Sequence, residues 1–331
     1  MGKKNSPPTM KDVSREAGVS LGTVSRVFNR LPVGEENRKR VEDASRKLGY
    51  QVNSSARSLR TNRTNTVALI WPCIHNPFYA SLAEEIVSEL MLRDYRPILM
   101  LTDYDYAAEQ KCVDLVRQNQ VDGIIALTYN PALDIDASVP FVSIDRHYAP
   151  HVPCVSSDNY GGGQLAAEKL LEYGCKRLLF LRIGSDLTSE ADRRGMGFES
   201  VCRFRAVDYE MVILNDRDTE EPFFRFLEEH IRDGVLDYDG IFCNTDRLAC
   251  HIRDFLSQMG IRVPEDVQII GYDGATNYVS GLPYCSTIIQ PVKQMARAAV
   301  DLLLDTERKG HPAVMCLPIS FAPGGTTVTP I

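Results

Sequence analysis

From residue 66 onward the chain alternates short apolar runs with longer amphipathic stretches. Residues 66–71, 97–102, 123–128 and 141–144 are rich in Val, Ile and Leu, and stretches of helical period at 78–93 and 107–119 separate the first three. A second series has apolar runs at 177–182, 211–214, 240–243 and 267–271, with helical stretches near 163–173, 192–204, 222–232 and 247–259. A helix over 292–308 and a last strand near 314–320 close the chain. Strands this uniformly apolar are buried on both faces, and parallel neighbours need a long crossover that a helix supplies. The pattern predicts an α/β body of two doubly wound, mainly parallel sheets. Such sheets bind ligands beyond the carboxyl ends of their strands. There the chain places Trp71-Pro72-Cys73, Thr102-Asp103, Tyr129, Asp145-Arg146, Asn244-Thr245-Asp246 and Asp273. A strand-end Asp also serves simply to cap the next helix, so position alone leaves both uses open.

The first 65 residues are built differently. They hold 14 Lys and Arg against 6 Asp and Glu, whereas the remainder holds 23 against 38. A basic head on an acidic body points to one surface for a polyanion, nucleic acid or lipid. Thr9 and Asp12 form a capping-box pattern before Val13 and Ala17, and Gly18 stops that helix. Ser20 caps a second helix whose Val24, Val27 and Phe28 share one face. Acids at 35 and 36 open a third, with Val41, Ala44 and Leu48 facing inward. Two short helices about a Gly-Val-Ser turn, then a third, form a helix-turn-helix pattern. Leu21, Gly22, Ser25, Arg26 and Asn29 stay off the buried stripe, where a recognition helix would present them to the major groove. A small bundle with a solvated basic face has the same spacing. No apolar stretch reaches the roughly 18 residues of a membrane span. The polar N-terminus lacks a signal core, which leads us to expect a cytoplasmic protein. The nine Cys are scattered without a C-x-x-C pair, as for reduced thiols rather than a disulfide framework or zinc site.

Met10-Lys11-Asp12-Val13, Ala17-Gly18-Val19-Ser20 and Thr23-Val24-Ser25-Arg26-Val27-Phe28-Asn29 resemble the DNA-binding head of the LacI/GalR family of bacterial transcription regulators. Leu48-Gly49-Tyr50 and the run from Asn53 to Arg60 continue the likeness. The resemblance implies a DNA-binding domain over 1–60 with a hinge helix at 53–60. It implies DNA contacts from Ser20, Leu21, Gly22, Thr23, Ser25, Arg26, Asn29, Ser55, Arg57 and Leu59, with Leu59 as the minor-groove wedge. Eight hinge residues are too few for a stable isolated helix, so this segment is expected to fold only on DNA. The likeness extends through Asn76-Pro77-Phe78-Tyr79, Asp122-Gly123, Asp158-Asn159-Tyr160, Arg194, Gly271-Tyr272-Asp273 and Gln290-Pro291. It implies a periplasmic-binding-protein-like core over 61–331. The N-subdomain would span about 65–160 and 290–318, and the C-subdomain about 161–289 and 319–331.

By matched position, Phe78, Tyr79, Asp145, Arg194, Asp273 and Gln290 would line an effector cleft. Their carboxylates, amide, guanidinium and aromatic rings suit a polyol. The chain departs from the family where Arg217 stands for a common aromatic, where Thr245 replaces a common Asn, and where residues 322–326 lack the usual Arg. With Arg146 beside Asp145, three guanidiniums could face the cleft and select an anionic sugar derivative. Alternatively Arg146 and Arg217 point outward to surface acids. The expected protein is a homodimeric regulator, most often a repressor, of a pseudo-palindromic double-stranded operator. It would answer to a small carbohydrate effector and need no cofactor, metal or membrane. Control by a phosphorylated carrier protein is the rival within regulation, and a transport-type sugar-binding protein the rival outside it. No P-loop, G-x-S-x-G or G-x-G-x-x-G pattern supports an enzyme. Gly161-Gly162-Gly163 could cradle a phosphate, His147 and His151 lie in a Pro-bearing loop that suits a metal poorly, and His75 could touch a ligand or start a helix.

Overall fold

The computed structural model describes residues 8–29, 31–50, 63–119, 121–128, 130, 132–135, 139–147, 152–184, 189–215, 219–274, 284–305 and 314–328. The chain divides into two compact units between residues 64 and 65. The expected hinge at 53–60, with Ser55, Arg57 and Leu59, lies outside the described residues, as do Tyr129, His151 and Arg217.

The head is three helices, α1 (Met10–Ala17), α2 (Leu21–Phe28) and α3 (Glu35–Leu48). The Thr9 N–H and hydroxyl both donate to the Asp12 carboxylate, at 2.9 and 2.7 Å, which fixes the start of α1. Gly18 ends α1 at φ 63°, a left-handed conformation that glycine adopts without a Cβ penalty. Ser20 Oγ then accepts from Thr23 N at 3.1 Å and opens α2. Val13, Ala17, Val24, Val27, Val41 and Ala44 form the buried core, flanked by Met10, Phe28, Leu48 and Tyr50.

The body begins β1 (Thr66–Trp71), α4 (Pro77–Leu92), β2 (Arg96–Leu101), α5 (Tyr106–Asn119), β3 (Gly123–Ala126), β4 (Phe141–Ile144) and β5 (Cys154–Ser157). It continues α6 (Asn159–Glu172), β6 (Arg177–Gly184), α7 (Arg193–Arg205), β7 (Asp208–Asn215), α8 (Glu221–Glu229) and a short hairpin, β8 (Ile231–Arg232) and β9 (Val235–Leu236). Then come β10 (Gly240–Cys243), α9 (Asp246–Gln258), β11 (Gln268–Asp273), β12 (Ser286–Ile289), α10 (Val292–Leu304), β13 (Val314–Leu317) and β14 (Ser320–Ala322). Among the described residues these strands make two six-stranded sheets, ordered β13-β5-β4-β3-β1-β2 and β14-β12-β11-β10-β6-β7. All pairings in both are parallel except β12 with β14. Helices α4 and α10 cover one face of the first sheet and α5 the other. Helices α8 and α9 cover one face of the second, α6 and α7 the other.

Three local expectations are corrected. The run near 314–320 is two strands in different sheets, because the chain crosses between sheets at Pro318. β5 was not anticipated, since Cys-Val-Ser-Ser is half polar, yet it is fully buried between β4 and β13. α6 begins at Asn159 rather than 163, so the three glycines lie inside a helix.

The reason for the glycines is a helix crossing. A Cβ on Gly163 would stand 1.9 Å from the Arg194 carbonyl oxygen, and one on Gly197 would stand 2.0 Å from that of Tyr160. α6 and α7 therefore meet backbone to backbone, and this contact sets the position of Arg194. Gly197→Ala is expected to push the helices apart and cost about 1–3 kcal/mol or more of body stability. Thermal unfolding reads this directly; an unchanged midpoint would refute so close a crossing.

Candidate DNA-reading helix and effector cleft

On α2 the surface left by packing is the one expected from the sequence. Leu21 is 42% exposed, and Gly22 and Arg26 are exposed with it. Ser20 is occupied as the helix cap, with its hydroxyl 2.9 Å from that of Thr23. Ser25 and Asn29 are tied together, the Asn29 amide donating to the Ser25 carbonyl at 2.7 Å and its hydroxyl at 3.2 Å. That leaves Arg26 as the long exposed donor at the centre of the face.

In the body a cleft runs between the two sheets. The first sheet's side supplies Asn76, Phe78, Tyr79, Thr128, Asp145 and Arg146. The second supplies Arg182, Ser189, Arg194, Asn244, Thr245 and Asp273. Arg194 is the most connected of these. Its Nε donates to Asn159 Oδ1 at 2.7 Å and its Nη1 to the Asn244 carbonyl at 2.6 Å. The same Nη1 lies 3.5 Å from Asp273 Oδ1, and the guanidinium stacks 3.6 Å from the Tyr272 ring centre. Gln290 lies behind the cleft instead of lining it. It accepts from Ser157 Oγ at 2.7 Å and donates to Asp273 Oδ1 at 2.8 Å. Arg146 faces the cleft but donates to the Thr128 carbonyl at 2.9 Å. Thr245 lines the cleft and also caps α9, accepting from Leu248 N at 3.2 Å.

Asp145 directly follows β4 and Asp273 ends β11, with φ of 54° and 115°. Such backbone is uncommon for residues other than glycine and concentrates at binding sites. Burial pushes the Asp145 carboxyl above its ordinary range, against the pull of Ser156, whose hydroxyl donates at 2.7 Å. Burial likewise pushes Asp273 up to about 7, although Arg194 and Gln290 draw it down. Two such carboxyls can accept from or donate to hydroxyls.

A contact between the halves lies beside these residues. Glu190 N donates to the Asp145 carbonyl at 3.0 Å. The Glu190 carboxylate meets His147 Nε2 at 2.8 Å and Arg193 Nη1 at 3.1 Å. His147 therefore pairs with an acid, and no group of potential metal ligands is found among the described residues. His75 is exposed and outside the cleft. The glycine cluster is no phosphate cradle: Asp158 Oδ1 takes the Gly161 N–H at 2.9 Å, and Tyr272 fills the space over Gly162. Sequence reasoning did not place Asn76, Thr128, Arg182, Ser189 or Glu190 in the site. Arg182 carried a usable signal, as a charge at the end of an apolar strand; it pairs with Asp192.

Asp273 supplies a pH test. Its folded value of about 7 exceeds the ordinary 3.8, so between these values the folded protein binds a proton that the unfolded chain gives up. Stability must then fall as pH rises through that window. Asp273→Asn is expected to flatten the decline in thermal midpoint, with Asp145 leaving a residue of the same sign. A slope identical to wild type would show that Asp273 is ionised throughout.

Residues 9–53 match the bacterial regulatory proteins of the lacI family, and residues 167–327 match a periplasmic binding protein-like domain. The chain is 33% identical over 329 residues to the sucrose operon repressor of Streptococcus mutans, spanning 95% of this chain and 98% of that one. It is 33% identical over 327 residues to the ribose operon repressor of Bacillus subtilis, spanning 96% and 98%. A complex of the transcriptional regulator CelR with cellobiose superposes with a TM-score of 0.68 at 26% identity, over 96% of this chain and 99% of that one. The lac repressor dimer bound to operator and the anti-inducer ONPF shares the fold, with a TM-score of 0.82 at 20% identity over 98% and 100%. The head match removes the transport-type reading. The chain belongs to the lacI family of bacterial regulatory proteins, as a ligand-controlled, DNA-binding repressor of transcription.

Proposed function

We propose that the effector is a small neutral sugar, and that it binds between Asp145 of the first half and Arg194 and Asp273 of the second. The observation that carries this reading is the pairing of the cleft's cations. Among the described residues, Arg194 is engaged through Nε and Nη1 by Asn159, Asn244 and Asp273, Arg146 donates to Thr128, and Arg182 pairs with Asp192. The buried Asp273 carboxyl and the partly buried Asp145 carboxyl, beside Phe78 and Tyr79, then offer what hydroxyls and a sugar's apolar face need. The sucrose and ribose repressors and the cellobiose complex support the same class. The neutral class is thereby preferred to the anionic derivative expected from Arg146, Arg194 and Arg217, the last of which lies outside the described residues.

The protein acts as a homodimer on a pseudo-palindromic operator, in the cytoplasm. One short head buries too little DNA for tight specific binding, and two add their contacts. The edge strand β2 exposes Leu99 and Leu101, and α5 exposes Leu115, an apolar edge suited to a second copy. No helix among the described residues is long and apolar enough to cross a membrane.

The test is fluorescence anisotropy of the full chain on a duplex selected from a randomised pool, titrated with ribose, sucrose, cellobiose and their phosphates. A neutral sugar is expected to change operator affinity at lower concentration than its phosphate; the reverse order would overturn the reading. On the same duplex Arg26→Ala is expected to cost about 1–3 kcal/mol and relax one base position per half-site. An equal loss on random DNA would reduce Arg26 to a phosphate contact.

A further inference from the structure

We propose that Cys250 and Cys285 form a redox-active dithiol that hydroperoxides close to a disulfide, fixing one wall of the effector cleft. Asp246 begins α9, and Cys250 lies one turn further along the same face. Cys285 Sγ donates to Asp246 Oδ1 at 3.6 Å. One turn beyond Cys250, the Arg253 guanidinium stacks 3.8 Å from the Tyr284 ring centre. These contacts bracket Cys250: residues 284 and 285 run along the face of α9 that carries residues 246, 250 and 253. Cys250 packs against the apolar cluster that holds Cys285, and neither is in a disulfide.

The two sulfurs are unequal in the way such chemistry needs. Cys250 is partly exposed and Cys285 is buried. The neighbouring Cys285, with Arg253 and His251, draws Cys250 below the ordinary thiol value against burial and Asp254. Cys250 and burial, with Asp246, push Cys285 far up. Cys243, also near, is fully buried and pushed well up by that burial, so it stays a thiol. A thiolate that is accessible attacks first, and a neighbouring thiol resolves.

The Cys250 thiolate attacks the outer oxygen of the hydroperoxide, the O–O bond breaks, and the leaving oxygen departs as water or alcohol. Cys250 becomes a sulfenic acid. Cys285 sulfur then attacks the Cys250 sulfur, Asp246 accepts the thiol proton, and hydroxide leaves to become water. The two thiols lose two electrons in all and the peroxide gains them. The bond ties the second turn of α9, whose start carries Asn244 and Thr245, to the strand leading to Gln290.

The experiment treats the full chain with equimolar hydrogen peroxide, blocks remaining thiols and maps the peptides by mass. The expected result is loss of two of the nine thiols, one peptide pair linking 250 to 285, and reversal by a dithiol reductant. Cys250→Ser and Cys285→Ala should each lose that link; the half-exposed Cys250 site keeps the test usable if Cys285→Ala fails to fold. Amide exchange over residues 246–250 should slow on oxidation of wild type but not of Cys250→Ser. Cys250 halted at a sulfenic or sulfinic acid, a link to another cysteine, or unchanged exchange on linking would each overturn the proposal.

Discussion

The charged contact on which the body depends is that of Arg194 with its surroundings. A guanidinium that is 4% exposed costs several kcal/mol unless it is paired and hydrogen-bonded, and here Asn159 accepts from Nε, the Asn244 carbonyl and Asp273 face Nη1, and Tyr272 covers the plane. Each acceptor comes from a different element: the start of α6, the end of β10 and the end of β11. The glycine crossing of α6 and α7 is what lets Arg194 reach all three. A polar group this constrained presents a fixed surface to a ligand, so little ordering is left to offset on binding.

The same network extends into the connections between the halves. The chain crosses between the sheets after β5, after β12 and after β13, and these crossings are tied to one another. Ser157 donates to Gln290, and Asp158 N donates to the Leu317 carbonyl at 2.8 Å. Gln290 in turn holds Asp273. A hydroxyl that changes the hydrogen bonding or protonation of Asp273 therefore acts on the residue that joins two of the crossings. On the opposite flank, Glu190 bridges the neighbours of Asp145 and Arg194. In the proposed binding mode the ligand thus acts on the crossings and on the contact between the halves, which is what it must alter to shift one arrangement of the halves against another.

Much of this was legible in the sequence, and the exceptions have physical causes. Apolar runs bounded by helical periods gave most strands of both sheets, because central strands buried on two faces leave no polar alternation to confuse them; β5, closing on two Ser, and β12, opening on Ser and Thr, were missed. Asp145, Arg194 and Asp273 were readable as polar residues at strand ends or by likeness. The start of α6 was not, since three successive glycines oppose helix formation locally. They are retained because a crossing helix and Tyr272 occupy the space where side chains would stand. Gln290 was found by likeness, but its place behind Asp273 depends on where three distant crossings meet. Glu190 carried no local signal, being one acid in a turn rich in charge.

The head solves a different problem with few residues. Its core is six small buried side chains, each Val or Ala, with larger groups packed at the margin. Burial of this size stabilises a fold only modestly. Stability is therefore drawn also from local devices: Asp12 on Thr9, Gly18 in the left-handed region, and Ser20 on Thr23. Those devices consume the polar groups at the ends of α1 and α2. The exposed face of α2 is left with Leu21 and Arg26, one apolar and one fork-shaped donor. A thymine methyl and the paired acceptors of guanine are the base features that such groups match. In the proposed reading of DNA, specificity in this head rests on the few side chains that folding does not need.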